Sequence, residues 1–184
     1  GFQLCEKLKT DERTSHIPVV LLTARASESS KLEGLETGAD DYIVKPFNAK
    51  ELQVRIFNLI EQRRKLRERY TKEFNLSPKD IAVTSTDERF LERAIDIIEN
   101  NMNNPDFGVD IFGKRVGLSQ SQLYRKIRAL TNLSPVELIR SFRLKRAASL
   151  LKQKYGNVAE IAYEVGFSNP AYFAECFRKQ FGNT

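Results

Sequence analysis

The sequence predicts a mainly α chain: an all-helical domain of two helix-turn-helix units in tandem, preceded by an incomplete α/β fragment. Three observations predict it. Residues 16–62 alternate short apolar runs with amphipathic stretches, the strand–helix–strand–helix order of a doubly wound sheet. From Ser85 onward the apolar spacing is helical, punctuated by cap and stop signals. Finally, the segment around Gly117 recurs around Gly166. The expected divisions are an α/β fragment at 1–62, a helical extension and linker at 63–84, and the helical domain at 85–184.

In the front part, Ile17–Thr23 reads as a parallel strand apolar on both faces. Ser27 to Thr37 reads as a helix with Leu32 and Leu35 inward and Gly38 as its stop. Ala39–Lys45 is a second strand, closed by Pro46. Two strands do not make a sheet core, so further strands are expected upstream of Gly1. Ala49 to about Tyr70 is one long helix. Its Leu52, Ile56, Leu59, Arg63, Leu66 and Tyr70 approach a heptad seam, and its tail from Arg63 to Arg69 is basic. A solvated connector is the favoured reading of that tail, a dimerising coiled coil the alternative. Asn75–Asp80 reads as linker.

The rest is helical. Ser85-Thr86-Asp87-Glu88 fits a capping box before an inner stripe of Leu91, Ala94, Ile95, Ile98 and Met102. Asp110 caps a short helix to Val116, and Ser119 with Gln122 caps the next, to about Thr131. Ser134-Pro135-Val136-Glu137 opens a longer helix with proline at its first position. Asn157 with Glu160 caps a short helix to Val165, and Asn169-Pro170 starts the last.

The repeat carries the functional argument. Phe112-Gly113-Lys114-Arg115-Val116-Gly117-Leu118-Ser119 aligns with Ile161-Ala162-Tyr163-Glu164-Val165-Gly166-Phe167-Ser168. Each is a short helix, a glycine turn that suits positive φ, and a capped second helix. Gly113 and Ala162 share a slot where a small residue permits close approach. Leu123 and Ile127 match Phe173 and Phe177 on the buried face. This is the plan in which the second helix enters the DNA major groove. The connecting helix, Pro135 to about Lys152, spans about 27 Å at about 1.5 Å per residue. That approaches the roughly 34 Å between successive major grooves on one DNA face.

Charge agrees with a polyanionic partner. Val109–Thr184 holds 13 Lys/Arg against 5 Asp/Glu, a net +8, whereas Thr71–Gly108 is −4 and residues 1–70 are +2. The single histidine, His16, and the scatter of carboxylates leave no metal-ligand set and no catalytic triad, so an enzyme is not expected in this chain. Cys5 and Cys176 read as buried free thiols of a cytoplasmic protein. No run approaches the roughly 18 apolar residues of a membrane span, so no membrane contact by this segment is expected.

Residues 85–184 resemble the AraC/XylS family of transcription activators. The resemblance rests on Leu118 to Ile127, on Ile139-Arg140-Ser141-Phe142-Arg143-Leu144, and on Glu160 to Gly182 with its Ile-Ala-x-x-Val-Gly-Phe-Ser signature. Asn132 stands where that family often has glycine, and asparagine also tolerates a left-handed backbone. The expected DNA-binding residues are Ser119, Gln120, Ser121, Gln122, Tyr124, Arg125 and Arg128 on the first recognition helix. On the second they are Asn169, Ala171, Tyr172, Glu175, Arg178 and Lys179. Glutamine and arginine suit adenine and guanine edges, so the first helix is expected to supply more of the specificity. Arg140, Arg143, Lys145 and Arg146 are candidates for phosphate contact.

The front fragment resembles the C-terminal half of a response-regulator receiver domain, a flavodoxin-like fold. Thr23, Gly38-Ala39-Asp40-Asp41, Tyr42 and Lys45-Pro46 carry the match. The resemblance implies that Lys45 pairs with a phosphoryl group, that Thr23 bonds its oxygen, and that Tyr42 swings inward in response. It also implies a cis Lys45–Pro46 bond. The phosphoacceptor aspartate and the acidic Mg²⁺ pair are expected upstream, so no cofactor is expected in this chain, and Mg²⁺ only in a complete receiver. Asp40 and Asp41 start the wrong strand to replace them. Receiver and AraC-type module together imply the output end of a two-component phosphorelay, as in hybrid sensor kinases or ordinary response regulators. Double-stranded DNA is the expected partner, with a homodimer through the receiver and helical part, and RNA polymerase as a further candidate. A cytoplasmic location is expected, with the parent protein a candidate for anchoring in the inner membrane. The rival readings are a protein-interaction module and a phosphotransfer catalyst.

Overall fold

The computed structural model describes residues 1–72 and 78–182. In chain order the elements are α1 (Phe2–Thr10), β1 (Val20–Thr23), α2 (Glu28–Glu36), β2 (Asp41–Val44) and α3 (Ala49–Lys72). Then follow α4 (Pro78–Ile81), α5 (Ser85–Glu99), α6 (Val109–Val116), α7 (Gln120–Thr131), α8 (Pro135–Lys152), α9 (Val158–Glu164) and α10 (Pro170–Phe181). Two compact units result: Gly1–Glu92 with Arg125–Asn132, and Arg93–Tyr124 with Leu133–Thr184. Among the described residues no helix is long and apolar enough to cross a membrane.

In the first unit β1 and β2 pair in parallel, Val20 opposite Asp41 through Thr23 opposite Val44. Cys5, Leu21, Ala39 and Tyr42 are buried together, with Phe2, Val19 and Val44 packed against them. Both strands have four residues, shorter than the apolar runs that announced them. The expectation of a strand buried on both faces is corrected, because Leu21 is buried while Leu22 is 41% exposed. Among the described residues each strand has one sheet neighbour, and for β1 one face is covered.

Helix α2 starts at its Ser27 cap, whose hydroxyl accepts from the Ser30 N–H, and stops at Gly38 with φ +85°. Its inner face is also corrected: Leu32 and Leu35 point to solvent and Gly34 is the buried residue. A Cβ on Gly34 would lie 2.6 Å from Cδ2 of Tyr42, so the helix rests its bare backbone on that ring and its leucines turn outward. Along α3, Leu52, Leu59 and Leu66 are half-buried in the chain itself, whereas Val54, Ile56, Phe57 and Ile60 are exposed. Arg63 is no solvated connector residue, as its side chain is only 13% exposed. Of the expected linker, residues 75–77 lie outside the described residues, and Pro78–Ile81 forms a helical turn instead.

Most helix starts follow the sequence signals. Reciprocal capping boxes close Ser134 with Glu137 and Asn157 with Glu160, and Asn169 Oδ1 accepts from the N–H groups of Ala171 and Tyr172. Two starts are shifted. Thr84, not Ser85, caps α5, its hydroxyl accepting from Asp87 N–H at 3.1 Å. Gly108 precedes α6 without a side-chain cap, leaving Asp110 in the first turn. Asn132 is left-handed at φ 63°.

The second unit packs α8, α9 and α10 around Leu144, Ala147, Leu150, Ile161, Phe173 and Phe177. Its two glycine turns are built alike. Gly117 and Gly166 have φ of +81° and +82°. Leu118 N–H donates to the Gly113 carbonyl at 3.0 Å, and Phe167 N–H to the Ala162 carbonyl at 2.9 Å. Each turn thus ends its helix with the same left-handed reversal, and the second turn is one residue longer, α10 starting four residues after its glycine and α7 three. A Cβ on Gly113 would meet the Leu118 carbonyl at 3.1 Å, which explains the small residue in that slot.

Candidate nucleic-acid interface

Helix α7 buries Leu123, Ile127 and Leu130 and leaves Gln120, Ser121, Tyr124, Arg125 and Arg128 exposed. Helix α10 buries Phe173, Cys176 and Phe177 and exposes Ala171, Tyr172, Glu175, Arg178 and Lys179. The expected readers therefore lie on the outer faces of the second helices of both units. Some of their polar groups are already committed. Gln122 Oε1 accepts from the Ser119 N–H at 3.0 Å and from its hydroxyl at 2.9 Å, so these two residues serve the cap. Gln120 Nε2 donates to Asp110 Oδ1. Glu175 and Lys179 face each other at 3.9 Å, a solvated pair of small energetic weight. Tyr172 is tied back to the connector α8, where Arg140 Nη1 donates to its hydroxyl at 3.1 Å.

The connector's basic residues divide accordingly. Arg146 is exposed. Arg143 is engaged within the fold: its Nε donates to the Met102 carbonyl at 2.9 Å and its Nη2 to the Asn104 and Phe107 carbonyls at 2.7 and 3.3 Å. A fork of donors that matches three turn carbonyls holds the 102–107 loop against α8. Lys145 lies half-buried with its ammonium 5.2 Å above the Phe142 ring.

Sequence reasoning missed one buried site. Lys126, between the exposed Arg125 and Arg128 on their helix, is fully buried. Its Nζ lies 2.7 Å from Asp87 Oδ1 and 2.8 Å from Ser15 Oγ, and 4.7 Å from the Phe90 ring centre. The Ser15 hydroxyl donates to the same Asp87 oxygen at 2.7 Å, closing a triangle from which solvent is excluded. Burial pushes the Lys126 ammonium below the usual lysine range, a push that Asp87 opposes.

Beside this triangle, His16 is driven down from 6.5 to about 4 by burial first and by the Lys126 charge second. Arg63 and Arg125 push the same way, and Asp87 opposes them. Between pH 6.5 and about 4 the unfolded chain binds a proton that the folded chain refuses, so stability falls as pH drops through that window. The full displacement corresponds to about 3 kcal/mol. As His16 is the sole histidine, its ring resonances in a proton NMR titration are expected to move near pH 4; a midpoint near 6.5 would show the ring solvated.

The receiver-like residues gather at one end of the β1–β2 pair. Thr23 and Lys45 line a cleft of about 580 Å³ together with Phe2, Ala24, Arg25 and Glu33. Arg25 N–H donates to Thr23 Oγ1 at 3.1 Å. Tyr42 is buried, its hydroxyl donating to the Arg25 carbonyl at 2.7 Å, and Lys45–Pro46 is cis. Asp40 is engaged elsewhere: Lys9 Nζ at 2.5 Å, Arg63 Nη2 at 2.5 Å and Val19 N–H at 2.7 Å all reach its carboxylate. Burial pushes Asp40 up, but these donors outweigh it and hold the carboxyl below its usual range. Asp41 pairs with Arg55 at 3.1 Å. Among the described residues lining the cleft Glu33 is the one carboxylate, 3.9 Å from Arg25, and this lining does not fit the carboxylate-rich shell that Mg²⁺ takes.

Comparisons with known proteins match two separate segments of the chain. A receiver domain model of response regulators matches residues 1–57, and a helix-turn-helix domain model matches residues 112–184. A protein named Histidine kinase P4 from Formosa agariphila is 48% identical over all 184 residues, which make up 13% of that protein. The phosphate regulon transcriptional regulatory protein PhoB of Escherichia coli is 57% identical over 56 residues, 30% of this chain and 24% of that one. The chain thus spans less than a quarter of either relative's length. A solved AraC-type transcriptional regulator from Chromobacterium violaceum is 28% identical over 53% of this chain and 86% of that chain, with a TM-score of 0.49. The chain therefore joins a segment similar to response-regulator receiver domains to a segment similar to helix-turn-helix domains.

Proposed function

We propose that this chain is a sequence-specific DNA-binding transcription regulator that works as the output end of a two-component phosphorelay. The observation that carries the reading is the duplicated turn. Two second helices follow the same hydrogen-bonded left-handed reversal, and each turns a polar outer face away from an aromatic or aliphatic core. Gln120, Tyr124, Arg125 and Arg128 are the base readers on α7, and Arg178 with Lys179 supplies the more backbone-directed contacts of α10. The Ser119, Gln122 and Asn169 caps orient the first turns of these helices, and Arg146 meets phosphate.

The test is equilibrium binding of fluorescein-labelled duplex at two salt concentrations. Arg125→Ala is expected to weaken binding to the preferred site by about 1–3 kcal/mol and to relax base preference there. Arg146→Ala is expected to weaken all duplexes alike and to lower the salt slope by about 0.9. Salt-insensitive binding, or none, would favour the rival in which the helical repeat is a protein-interaction scaffold.

The remaining assignments support the same picture. The chain acts by binding, and in a complete receiver the acceptor aspartate and the Mg²⁺ carboxylates would come from residues other than those of this segment. Thr23, Tyr42 and Lys45 are then the receiver switch. The hybrid arrangement draws support from the relative named Histidine kinase P4; a cytoplasmic location for this region, with the parent protein anchored in the inner membrane, belongs to the same reading. Dimerisation through the receiver and helical part has an available face in the exposed Val54, Phe57 and Ile60 of α3. RNA polymerase is the further partner of such an activator.

A further inference from the structure

We propose that the buried Lys126–Asp87–Ser15 triangle is the positioning link through which the receiver segment sets the first recognition helix. This rests on the DNA-binding reading above and names how that binding is governed.

Three features of the triangle argue for it. First, its members come from three different places. Ser15 follows α1 in the receiver segment, Asp87 lies in the first turn of α5, and Lys126 sits on α7 between two candidate DNA readers. Second, it lies at the end of a series of polar contacts, joined through one peptide link, that starts just before β2. Asp40, just before β2, binds Arg63 of α3 at 2.5 Å. Arg63 also donates to the carbonyl of His16, whose neighbour in the chain is Ser15. Ser15 touches both Asp87 and Lys126. The same β2 strand carries Tyr42 and leads to Lys45, so a shift of that strand moves Asp40 and the guanidinium that holds the 15–16 segment. Third, the triangle is incompletely satisfied, since Asp87 Oδ2 is buried without a hydrogen-bond partner. A buried pair with a spare, unsolvated oxygen does not gain in stability over an apolar pair of the same volume. Its use is to specify one arrangement of α7, and withdrawal of Ser15 removes one of the groups that fix that arrangement.

Lys126 is therefore a positioning residue. It lies below the helix surface and acts on DNA through the orientation of Arg125 and Arg128. A link of this kind is a coupling, and couplings are read by double-mutant cycles and not by distance.

The experiment uses the whole 184-residue chain and the duplex it prefers. Ser15→Ala is expected to change duplex affinity by about 5- to 150-fold, although Ser15 is buried and lies outside both second helices. In the background of Asp87→Leu with Lys126→Met, which replaces the pair by apolar groups and keeps a packed core, the same Ser15→Ala change is expected to do nothing. Hydrogen exchange gives a second reading that needs no DNA. Ser15→Ala is expected to speed exchange at Arg125–Leu130 of α7 while the α9 and α10 amides stay protected, and this difference is expected to vanish in the apolar-pair background. Unaltered affinity and unaltered α7 exchange in a folded Ser15→Ala protein would overturn the link. So would an effect of equal size in the apolar-pair background, which marks Ser15 as merely structural. If the unmodified chain binds no duplex, the DNA reading fails, and the exchange cycle still decides whether the receiver segment and α7 are linked.

Discussion

Replacing Asp87 by alanine is expected to cost about 3–5 kcal/mol of stability, because it strands the Lys126 ammonium in a site with no solvent. Lys126 and Asp87 are each 0% exposed, and Ser15 is the remaining hydrogen-bond partner that the lost carboxylate would leave the ammonium. Replacing both charges together, Asp87→Leu with Lys126→Met, is expected to be near neutral or to stabilise by up to about 4 kcal/mol. Urea titration followed by circular dichroism measures both. A small loss for Asp87→Ala, comparable to an exposed ion pair, would mean that water reaches the pair.

The second large effect is expected at Gly166. Its φ of +82° already disfavours any other residue, and a Cβ there would sit 2.2 Å from the Met102 carbonyl and 3.1 Å from Arg143 Nε. The backbone oxygen does not yield, and Arg143 is held by its three carbonyl partners, so Gly166→Ala is expected to cost more than about 4 kcal/mol. Gly117 supplies the control within the same molecule. It has the same turn and nearly the same φ, but a Cβ there meets nothing within 4 Å. Gly117→Ala is therefore expected to cost only the backbone strain, about 1–2 kcal/mol. Thermal unfolding of the two variants side by side is the check, and equal losses would show that strain, not packing, sets the cost at both turns.

These contrasts show what local pattern reveals and what it omits. The capping boxes at Ser134 and Asn157, the Asn169 cap and both left-handed glycines were legible because each depends on residues only a few positions apart. The glycine repeat revealed the duplicated turn for the same reason. That one glycine is packed and the other open was not legible, since Met102 and Arg143 reach Gly166 from distant elements. The same holds for Gly34, where periodicity favoured the leucines and the Tyr42 ring took the space under the helix.

The buried charges were half legible. Leu123, Lys126, Ile127 and Leu130 follow the i, i+3, i+4, i+7 spacing of one helical face, as do Asp87, Phe90, Leu91 and Ala94. A lysine and an aspartate on two such apolar faces signal a buried pair by their spacing alone. Ser15, in an irregular segment, offered no such signal. Arg143 shows a related limit: on a basic helix it looks like a phosphate ligand, and only the fold shows its Nε and Nη2 turned onto three carbonyls. The outer faces of α7 and α10 were the easiest to read, because exposure on a helix follows directly from the apolar residues that are not exposed.

The central claim, two-unit recognition of DNA, is tested most directly by selecting from a randomised duplex pool with the intact chain and sequencing what is retained. The account predicts two enriched half-sites about one helical turn apart. Arg125→Ala is predicted to blur one half-site and Arg178→Ala to weaken the other with less loss of sequence preference. A retained pool as random as the input, with binding indifferent to salt, would contradict the claim.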